Sequence, residues 1–158
     1  MKVLFVTSEA APFAASGGLG DVMGALPQAL YDEGVDVEVI LPLYDTIKDE
    51  FKSKMKPVID ISFDLSWRKT GARIYKYIHK SVVYYFVENH YYFDRGSFYG
   101  QSDDIERFAF FSKAVIEFIL AGGTSPDILH ANDWQSAAAI IYLKTMYART
   151  ASDRKAHV

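Results

Sequence analysis

The segment Ser16-Gly17-Gly18-Leu19-Gly20-Asp21 lies between an apolar stretch and an amphipathic one, and it decides the fold. Upstream, residues 3–6 are continuously apolar and include β-branched and aromatic side chains, which predicts a short buried strand. Downstream, apolar residues recur at helical spacing, which predicts a helix over about residues 20–33 that ends at Gly34. A strand, a glycine loop (residues 16–21) and a helix in this order indicate an α/β unit.

The glycine loop is also a candidate binding site. The start of the helix presents free backbone N–H groups and the positive end of the helix dipole, and both favour an anion. We expect that positions 17 and 18 require glycine, because a Cβ would keep an anionic ligand from the backbone and would penalise a positive φ. Asp21 in the first helical turn also suits the dipole, so a purely structural role fits it too. On its own, the loop fits a tight βα turn as well.

The composition excludes several classes of function. The chain has 158 residues, half of them hydrophobic, which is the size of one domain with its own core. Its 17 basic and 20 acidic residues give a net charge of −3, which supports neither nucleic acid nor an anionic membrane as a partner. The absence of cysteine excludes disulfides and thiolate metal sites and fits a reducing compartment. No stretch approaches the ~20 apolar residues of a membrane span, so we expect a soluble, cytoplasmic protein.

Later segments continue the α/β pattern and add a predicted antiparallel hairpin. A polar and aromatic loop over residues 89–101, called the aromatic loop below, follows a buried strand, and such loops often cover a site. Asp103 and Glu106 have capping-box spacing at the start of a later helix. The predicted elements are a strand over residues 35–41, a hairpin over residues 58–78 that turns at Lys69-Thr70-Gly71, a strand over residues 82–87, a helix that ends at Gly122-Gly123, a strand at residues 128–129 and a helix over residues 134–147.

A second informative segment is His130-Ala131-Asn132-Asp133-Trp134-Gln135. Its position places His130 and Asp133 at the carboxyl end of a strand and the start of the next helix, which is where ligands bind in open α/β sheets. A carboxylate at a helix N-terminus is held ionised by the helix dipole. Two interpretations stay open on spacing alone: Asp133 contacts a ligand, or Asp133 is only an N-cap and His130 a packed imidazole.

Three segments resemble the bacterial glycogen synthase and plant starch synthase family, in the correct order along the chain. They are Ser8-Glu9-Ala10-Ala11-Pro12-Phe13 with the glycine loop, Asp94-Arg95-Gly96-Ser97-Phe98-Tyr99-Gly100, and the segment from His130 to Gln135. Members of this family are retaining glucosyltransferases that use a nucleotide-glucose donor, usually ADP-glucose. The sequence departs from the family pattern at Ala15-Ser16, where Lys-Thr is usual, and at Gln135, where histidine is frequent. Three concordant motifs are far more specific than one.

The resemblance implies the fold and the reaction. We expect an α/β, Rossmann-like N-terminal (acceptor-side) domain of a two-domain GT-B glycosyltransferase, with a mostly parallel sheet and an inserted hairpin. Residues 1–158 would be this one domain, truncated, without the C-terminal nucleotide-binding domain. The complete enzyme would transfer glucose from ADP-glucose to the non-reducing end of an α-1,4-glucan such as glycogen, without cofactor or metal, and the fragment alone would be inactive. His157 precedes the next family strand and should not be taken for the family's histidine.

The resemblance also assigns roles to residues. Asp133 is the expected catalytic residue, which positions the acceptor or the anomeric centre, while His130 supports its loop and Trp134 packs behind it. Gly17, Gly18 and Asp21 are expected substrate-binding residues. In the aromatic loop, Tyr99 and Arg95 are expected to shape the sugar or glucan pocket. An alternative for this loop stays open, in which Arg95 pairs with Asp94 or Asp103 and Tyr99 merely packs.

Two other classes of function remain in view. A dinucleotide-binding oxidoreductase would need an acid at the end of the second strand, and that strand ends in Ile40-Leu41-Pro42, which counts against NAD. A non-catalytic module that binds a nucleotide sugar or a glucan is the second alternative.

Overall fold

The structure is a computed structural model that describes residues 1–146. Predictions for His157 and for the helix end at residue 147 lie outside these residues. The elements in chain order are β1 (Lys2–Val6), α1 (Gly18–Asp32), β2 (Asp36–Pro42), α2 (Asp49–Lys52), β3 (Lys56–Leu65), β4 (Arg68–His79), β5 (Val82–Glu88), α3 (His90–Phe93), α4 (Asp104–Leu120), β6 (Ile128–Ala131) and α5 (Trp134–Thr145). Within residues 1–146, no helix is long and apolar enough to cross a bilayer.

The strands of residues 1–146 form one mixed sheet of six strands in the order β3-β4-β5-β2-β1-β6. The pairs β1–β2, β1–β6 and β2–β5 are parallel, whereas β3–β4 and β4–β5 are antiparallel. The antiparallel hairpin β3–β4 therefore extends one side of a parallel core. This arrangement confirms the predicted α/β architecture with an inserted hairpin.

The order of the strands creates a switch point between β1 and β6. From β1 the chain passes through α1 to β2 on one side, and the crossover through α4 later brings β6 to the other side of β1. Val6, the last residue of β1, pairs with Ala131, the last residue of β6. The loops after these two strands therefore leave the sheet side by side, at the crevice where open α/β sheets bind ligands.

The strands β1, β2 and β5 are buried on both faces, which explains why they are nearly continuous apolar runs. Tyr85 of β5 packs against Phe118 of α4, with ring centroids 4.9 Å apart. The adjacent Tyr84 packs at the same distance against Phe13, in the loop before α1. Successive side chains of a strand point to opposite faces, so α4 and the segment that precedes α1 cover different faces of the sheet.

The predicted hairpin turn at Lys69-Thr70-Gly71 is wrong, because these residues lie inside β4. The turn consists of two residues, Ser66 and Trp67, since Leu65 pairs with Arg68, and Ser66 has a φ of 58°. Gly71 is needed for close packing, because a Cβ there would lie 2.5 Å from the carbonyl oxygen of Ile61. A glycine at a close backbone approach was mistaken for a turn signal.

The predicted capping box of α4 is also wrong. Asp103 is the N-cap residue, but its side chain makes no capping hydrogen bond and accepts one from Arg95 at 2.9 Å instead. Glu106 accepts a hydrogen bond from the Tyr92 hydroxyl at 2.7 Å and pairs with Arg68. The two carboxylates therefore accept hydrogen bonds from arginine and tyrosine side chains of other segments, and not from the backbone N–H groups at the start of α4 as the spacing predicted.

Candidate active site

The glycine loop presents an open backbone at the start of α1. Gly17 is the N-cap, with a φ of −170°, and no side chain caps the helix. A Cβ on Gly17 or on Gly18 would find no atom within 4 Å, and neither residue has a positive φ. The predicted need for a positive φ is therefore wrong. The fold itself does not require glycine at these two positions, and what glycine provides there is an unobstructed approach to the backbone N–H groups.

At Gly20, in contrast, glycine is required by packing within the domain. A Cβ on Gly20 would lie 2.5 Å from the Cβ of Ala15 and 3.1 Å from a carboxylate oxygen of Glu9. Ala15 is thus folded tightly against the first turn of α1. Of the three glycines in the loop, this one is explained by packing.

Glu9 is a buried carboxylate that the sequence reasoning missed. It accepts hydrogen bonds from the backbone N–H of Ser16 and from the Ser16 hydroxyl, the latter at 2.9 Å. It also accepts one from the Tyr99 hydroxyl at 2.6 Å. Glu9 therefore joins the loop after β1, the glycine loop and the aromatic loop. An acid that directly follows the apolar strand β1 and Thr7-Ser8 is the sequence signal that could have found it.

Tyr99 does more than pack. Because its hydroxyl donates to Glu9, the Ser8 hydroxyl donates to it, at 2.7 Å. Burial raises the pKa of the Tyr99 phenol, and the hydrogen bond to Glu9 and the nearby charge of Asp133 raise it further. The aromatic loop is therefore tied to the glycine loop through Glu9, and Asp133 lies close enough to act electrostatically on the same phenol.

An open cleft lies between the glycine loop and the aromatic loop. It has a volume of about 320 Å³ and is lined by Ser16, Thr46, Gly96, Ser97, Phe98 and Tyr99. The hydroxyl groups of Ser16 and Tyr99 donate to Glu9 and that of Ser97 donates to the Tyr99 carbonyl, so these oxygens face a ligand as acceptors, and the Phe98 ring adds an apolar face. Such a lining suits a polar ligand with many hydroxyl groups.

Asp133 occupies a strained backbone conformation at the carboxyl end of β6. Its φ of 65° and ψ of 177° fall in a region that is populated almost only by glycine. The Ser136 hydroxyl oxygen lies within hydrogen-bond distance of two carbonyl oxygens, that of Asn132 at 2.8 Å and that of Asp133 at 3.1 Å. The Asp133 carboxylate is exposed and accepts a hydrogen bond from the Trp134 N–H at 2.7 Å. Asp133 is therefore an N-cap, as one interpretation held, and its strain of about 1–3 kcal/mol is the kind that clusters at functional sites.

His130 and Trp134 flank this corner. The His130 imidazole is exposed and packs against the Phe5 ring, 4.9 Å between centroids. The His130 carbonyl accepts a hydrogen bond from the Asn132 side chain at 3.1 Å, so its support of the loop comes through the backbone. Trp134 rests edge-on against Phe108, with 51% of its surface exposed.

Of the six predicted binding residues, Tyr99 lines the cleft, whereas Gly17, Gly18, Asp21, Arg95 and His130 do not. Asp21 is exposed and borders a separate groove of about 460 Å³ with Pro12 and His79. Arg95 donates to the Tyr91 carbonyl at 2.8 Å and to Asp103 at 2.9 Å, which matches the alternative in which it pairs with Asp103. Within residues 1–146, no group of three or more histidine or acidic side chains could hold a metal ion.

Known proteins resemble this chain over nearly its whole length. The family model for the starch synthase catalytic domain matches residues 2–158. The chain is 49% identical over 149 residues to a glycogen synthase of Clostridium botulinum (strain Alaska E43), covering 94% of this chain and 31% of that protein. It is 46% identical over 147 residues to a glycogen synthase of Geobacillus stearothermophilus, covering 93% and 30%.

The catalytic domain of starch synthase IV from Arabidopsis thaliana, solved bound to ADP and acarbose, superposes with a TM-score of 0.82. That match has 32% sequence identity and covers 98% of this chain and 32% of the other. It confirms the predicted fold class. The chain spans about a third of the length of the curated relatives it matches. The sequence motifs, the sheet and the matched family model agree, and the chain belongs to the starch synthase catalytic domain family.

Proposed function

We propose that this chain is the N-terminal, acceptor-side domain of a glycogen synthase. The complete enzyme transfers glucose from ADP-glucose to the non-reducing end of an α-1,4-glucan, with retention of configuration. The observation that carries the proposal is that β1 and β6 are neighbouring parallel strands whose last residues pair, so both the segment that leads to the glycine loop and the Asp133 corner leave the sheet at one crevice. The curated relatives are glycogen synthases, and the starch synthase IV structure holds ADP and acarbose, which supports the same substrate classes here.

In this proposal the start of α1 faces the donor phosphates. Glucosyl transfer with retention develops negative charge on the departing diphosphate and positive charge on the sugar ring. The free N–H groups near Gly17 and Gly18 can stabilise that diphosphate without reorganisation. Ala15 stands where the family has a lysine, so donor affinity depends more on the N–H groups of Gly17 and Gly18 and on the second domain.

The Asp133 carboxylate acts on the sugar side of the crevice. It is exposed and fixed at a helix start, so it can accept a hydrogen bond from a sugar hydroxyl and stabilise positive charge on the ring. Tyr99 borders the neighbouring cleft, and since its hydroxyl donates to Glu9, it offers its ring and its phenol oxygen as an acceptor to the same sugar or to the glucan. His130 supports the Asp133 corner, and Arg95 shapes the aromatic loop through Asp103. Asp21 faces a separate groove, so its part is to complement the helix dipole in the first turn of α1.

The missing catalytic groups belong to a second domain in this proposal. The relatives are about three times as long as this chain, which supports a C-terminal domain that closes the crevice and binds most of the nucleotide. The 158-residue chain alone is then inactive. A cytoplasmic location stays a prediction from the sequence.

The test is Asp133→Asn in the full-length protein. We expect ADP-glucose affinity, measured by calorimetry, to stay within about threefold, because the diphosphate contacts lie at the other corner. Transfer of glucose to glycogen should fall on the order of a hundredfold or more, since the amide cannot stabilise positive charge. Unchanged transfer by the folded variant would remove Asp133 from the mechanism.

A non-catalytic glucan-binding module is the second candidate. The observation that favours it is the cleft at Tyr99, which is formed entirely by this domain. In that case the chain would bind a maltooligosaccharide, and the full-length protein would show no transfer from ADP-glucose. Titration of the chain with maltooligosaccharide, ADP-glucose and NAD separates this candidate from the enzyme and from an oxidoreductase.

A further inference from the structure

Arg107 is a fully buried arginine in the second turn of α4, outside every motif described above. Its Nε donates a hydrogen bond to the Tyr92 carbonyl at 2.7 Å, and its Nη1 donates to the Phe98 carbonyl at 3.3 Å. The same Nη1 pairs with the Asp104 carboxylate at 2.5 Å. Arg107 thus contacts the aromatic loop at two backbone positions that are six residues apart.

Asp104 completes the arrangement. Its second carboxylate oxygen accepts a hydrogen bond from the Gly100 N–H at 2.8 Å. The ion pair therefore binds both sides of Tyr99, because Arg107 donates to the Phe98 carbonyl before it and Asp104 accepts from the Gly100 N–H after it. Residues 94–103 contain no helix or strand, so side chains fix this backbone. The other such contacts are at Gly96, whose N–H donates to the Asp45 carboxylate at 3.0 Å, and at the Tyr99 carbonyl, which accepts from the Ser97 hydroxyl at 3.0 Å.

We propose that Arg107 and Asp104 are positioning residues that hold Tyr99 in the orientation in which its hydroxyl reaches Glu9 and Ser8. The two peptide groups that flank Tyr99 are fixed, so the direction of its side chain is restricted to the cleft. The consequence for sugar binding rests on the proposed function, whereas the fixed orientation of Tyr99 does not.

The energetics favour positioning over packing. A buried guanidinium must replace the hydrogen bonds that it made with water, and Nη2 of Arg107 has no hydrogen-bond partner within the described residues. An apolar side chain at this position in α4 would cover the sheet at lower cost. A lysine would keep the charge but lacks the planar fork that reaches two carbonyls at once. The arginine is explained by the two backbone groups that it holds.

The first arm of the test uses the 158-residue chain with tyrosines labelled with ¹³C at Cζ. The Tyr99 signal is assigned with Tyr99→Phe, and the pKa of its phenol is followed by NMR. We expect a pKa well above 10 in the parent chain and a pKa that falls toward about 10 in Arg107→Lys, because the phenol loses Glu9 and becomes exposed. Glu106→Gln is the matched control, since it removes a carboxylate from the same region of α4 without touching the groups that flank Tyr99.

Asp104→Asn is the second variant, and it decides the outcome if Arg107→Lys does not fold. It keeps an oxygen near the Gly100 N–H and weakens the ion pair, so we expect a smaller fall of the Tyr99 pKa in the same direction. A Tyr99 pKa that is unchanged in every folded variant of Arg107 and Asp104 would overturn the proposal.

The second arm uses the full-length protein and a double-mutant cycle. We expect Arg107→Lys to raise the KM for maltooligosaccharide about tenfold with a smaller change in kcat, and to have no further effect in the Tyr99→Phe background. An equal effect in both backgrounds would overturn the action through Tyr99. A fall of the Tyr99 pKa without any change in transfer kinetics supports the fixed orientation and overturns the link between Tyr99 and the acceptor. A parent protein that transfers no glucose at all would instead be a failure of the proposed function.

Discussion

Asp133 is the residue at which stability and function conflict most clearly. Its backbone lies in a region that suits glycine, yet the chain carries an aspartate there. The side chain recovers part of the cost by capping α5 through the Trp134 N–H. The strained backbone and the exposed carboxylate fit the proposed role of Asp133 toward a ligand.

This conflict gives a prediction on the 158-residue chain. We expect Asp133→Gly to be more stable than Asp133→Ala by about 1–3 kcal/mol, because only glycine adopts this conformation without strain. Both substitutions remove the carboxylate and the cap, so the difference between their free energies of unfolding reports the cost of the backbone conformation. Urea unfolding followed by circular dichroism measures it. Equal stability of the two variants would show that the backbone at this position is not strained.

The sequence predicted where the residues of the candidate site lie in the fold better than it predicted what their side chains contact. Asp133 and the glycines could be found from the sequence because a strand end and a helix start restrict where their groups lie. The place of Glu9 just after β1 is such a signal too, but its contacts could not be predicted, because nothing in the local pattern says that its side chain is buried against Ser16 and Tyr99. Arg95 has the same sequence context whether it binds a sugar or Asp103, and its partner is set by how α4 packs.

At the scale of elements, the strands and helices were predicted well wherever burial dictates a simple pattern. The core strands β1, β2 and β5 are apolar runs because both of their faces are covered. The hairpin turn was missed because Gly71 and Ser66 gave misleading local signals, a glycine inside a strand and a serine with a positive φ. Turn position depends on strand register, which periodicity alone does not fix.

The start of α1 provides a prediction that separates two kinds of glycine. We expect Gly18→Ala to leave the free energy of unfolding within about 1 kcal/mol, since its Cβ meets open space in a helical residue. Gly20→Ala should lower it by about 1–3 kcal/mol, because its Cβ would overlap Ala15. Urea unfolding of the two variants makes the comparison.

The same helix start predicts the effect on activity in the full-length protein. Gly18→Val should lower kcat/KM for ADP-glucose on the order of a hundredfold while the protein stays folded, because the side chain would obstruct the backbone N–H groups. Near-normal turnover by the folded Gly18→Val protein would show that no donor approaches this backbone.

At the scale of the whole molecule, the strand order matters most for function. The order β2-β1-β6 places the glycine loop and the Asp133 corner on adjacent strands, although more than 100 residues separate them in the sequence. Neither periodicity nor composition reveals this adjacency. It was available from the sequence only through the resemblance to a family, and in the structure it follows from the pairing of β1 with β6.

The most direct test of the account is a crystal structure of the full-length protein with ADP-glucose bound. We predict that the transferred glucose lies between the two corners, with the diphosphate at the N–H groups of Gly17 and Gly18 and a glucose hydroxyl within hydrogen-bond distance of the Asp133 carboxylate. A glucose bound at only one corner, or elsewhere on the domain, would contradict the account.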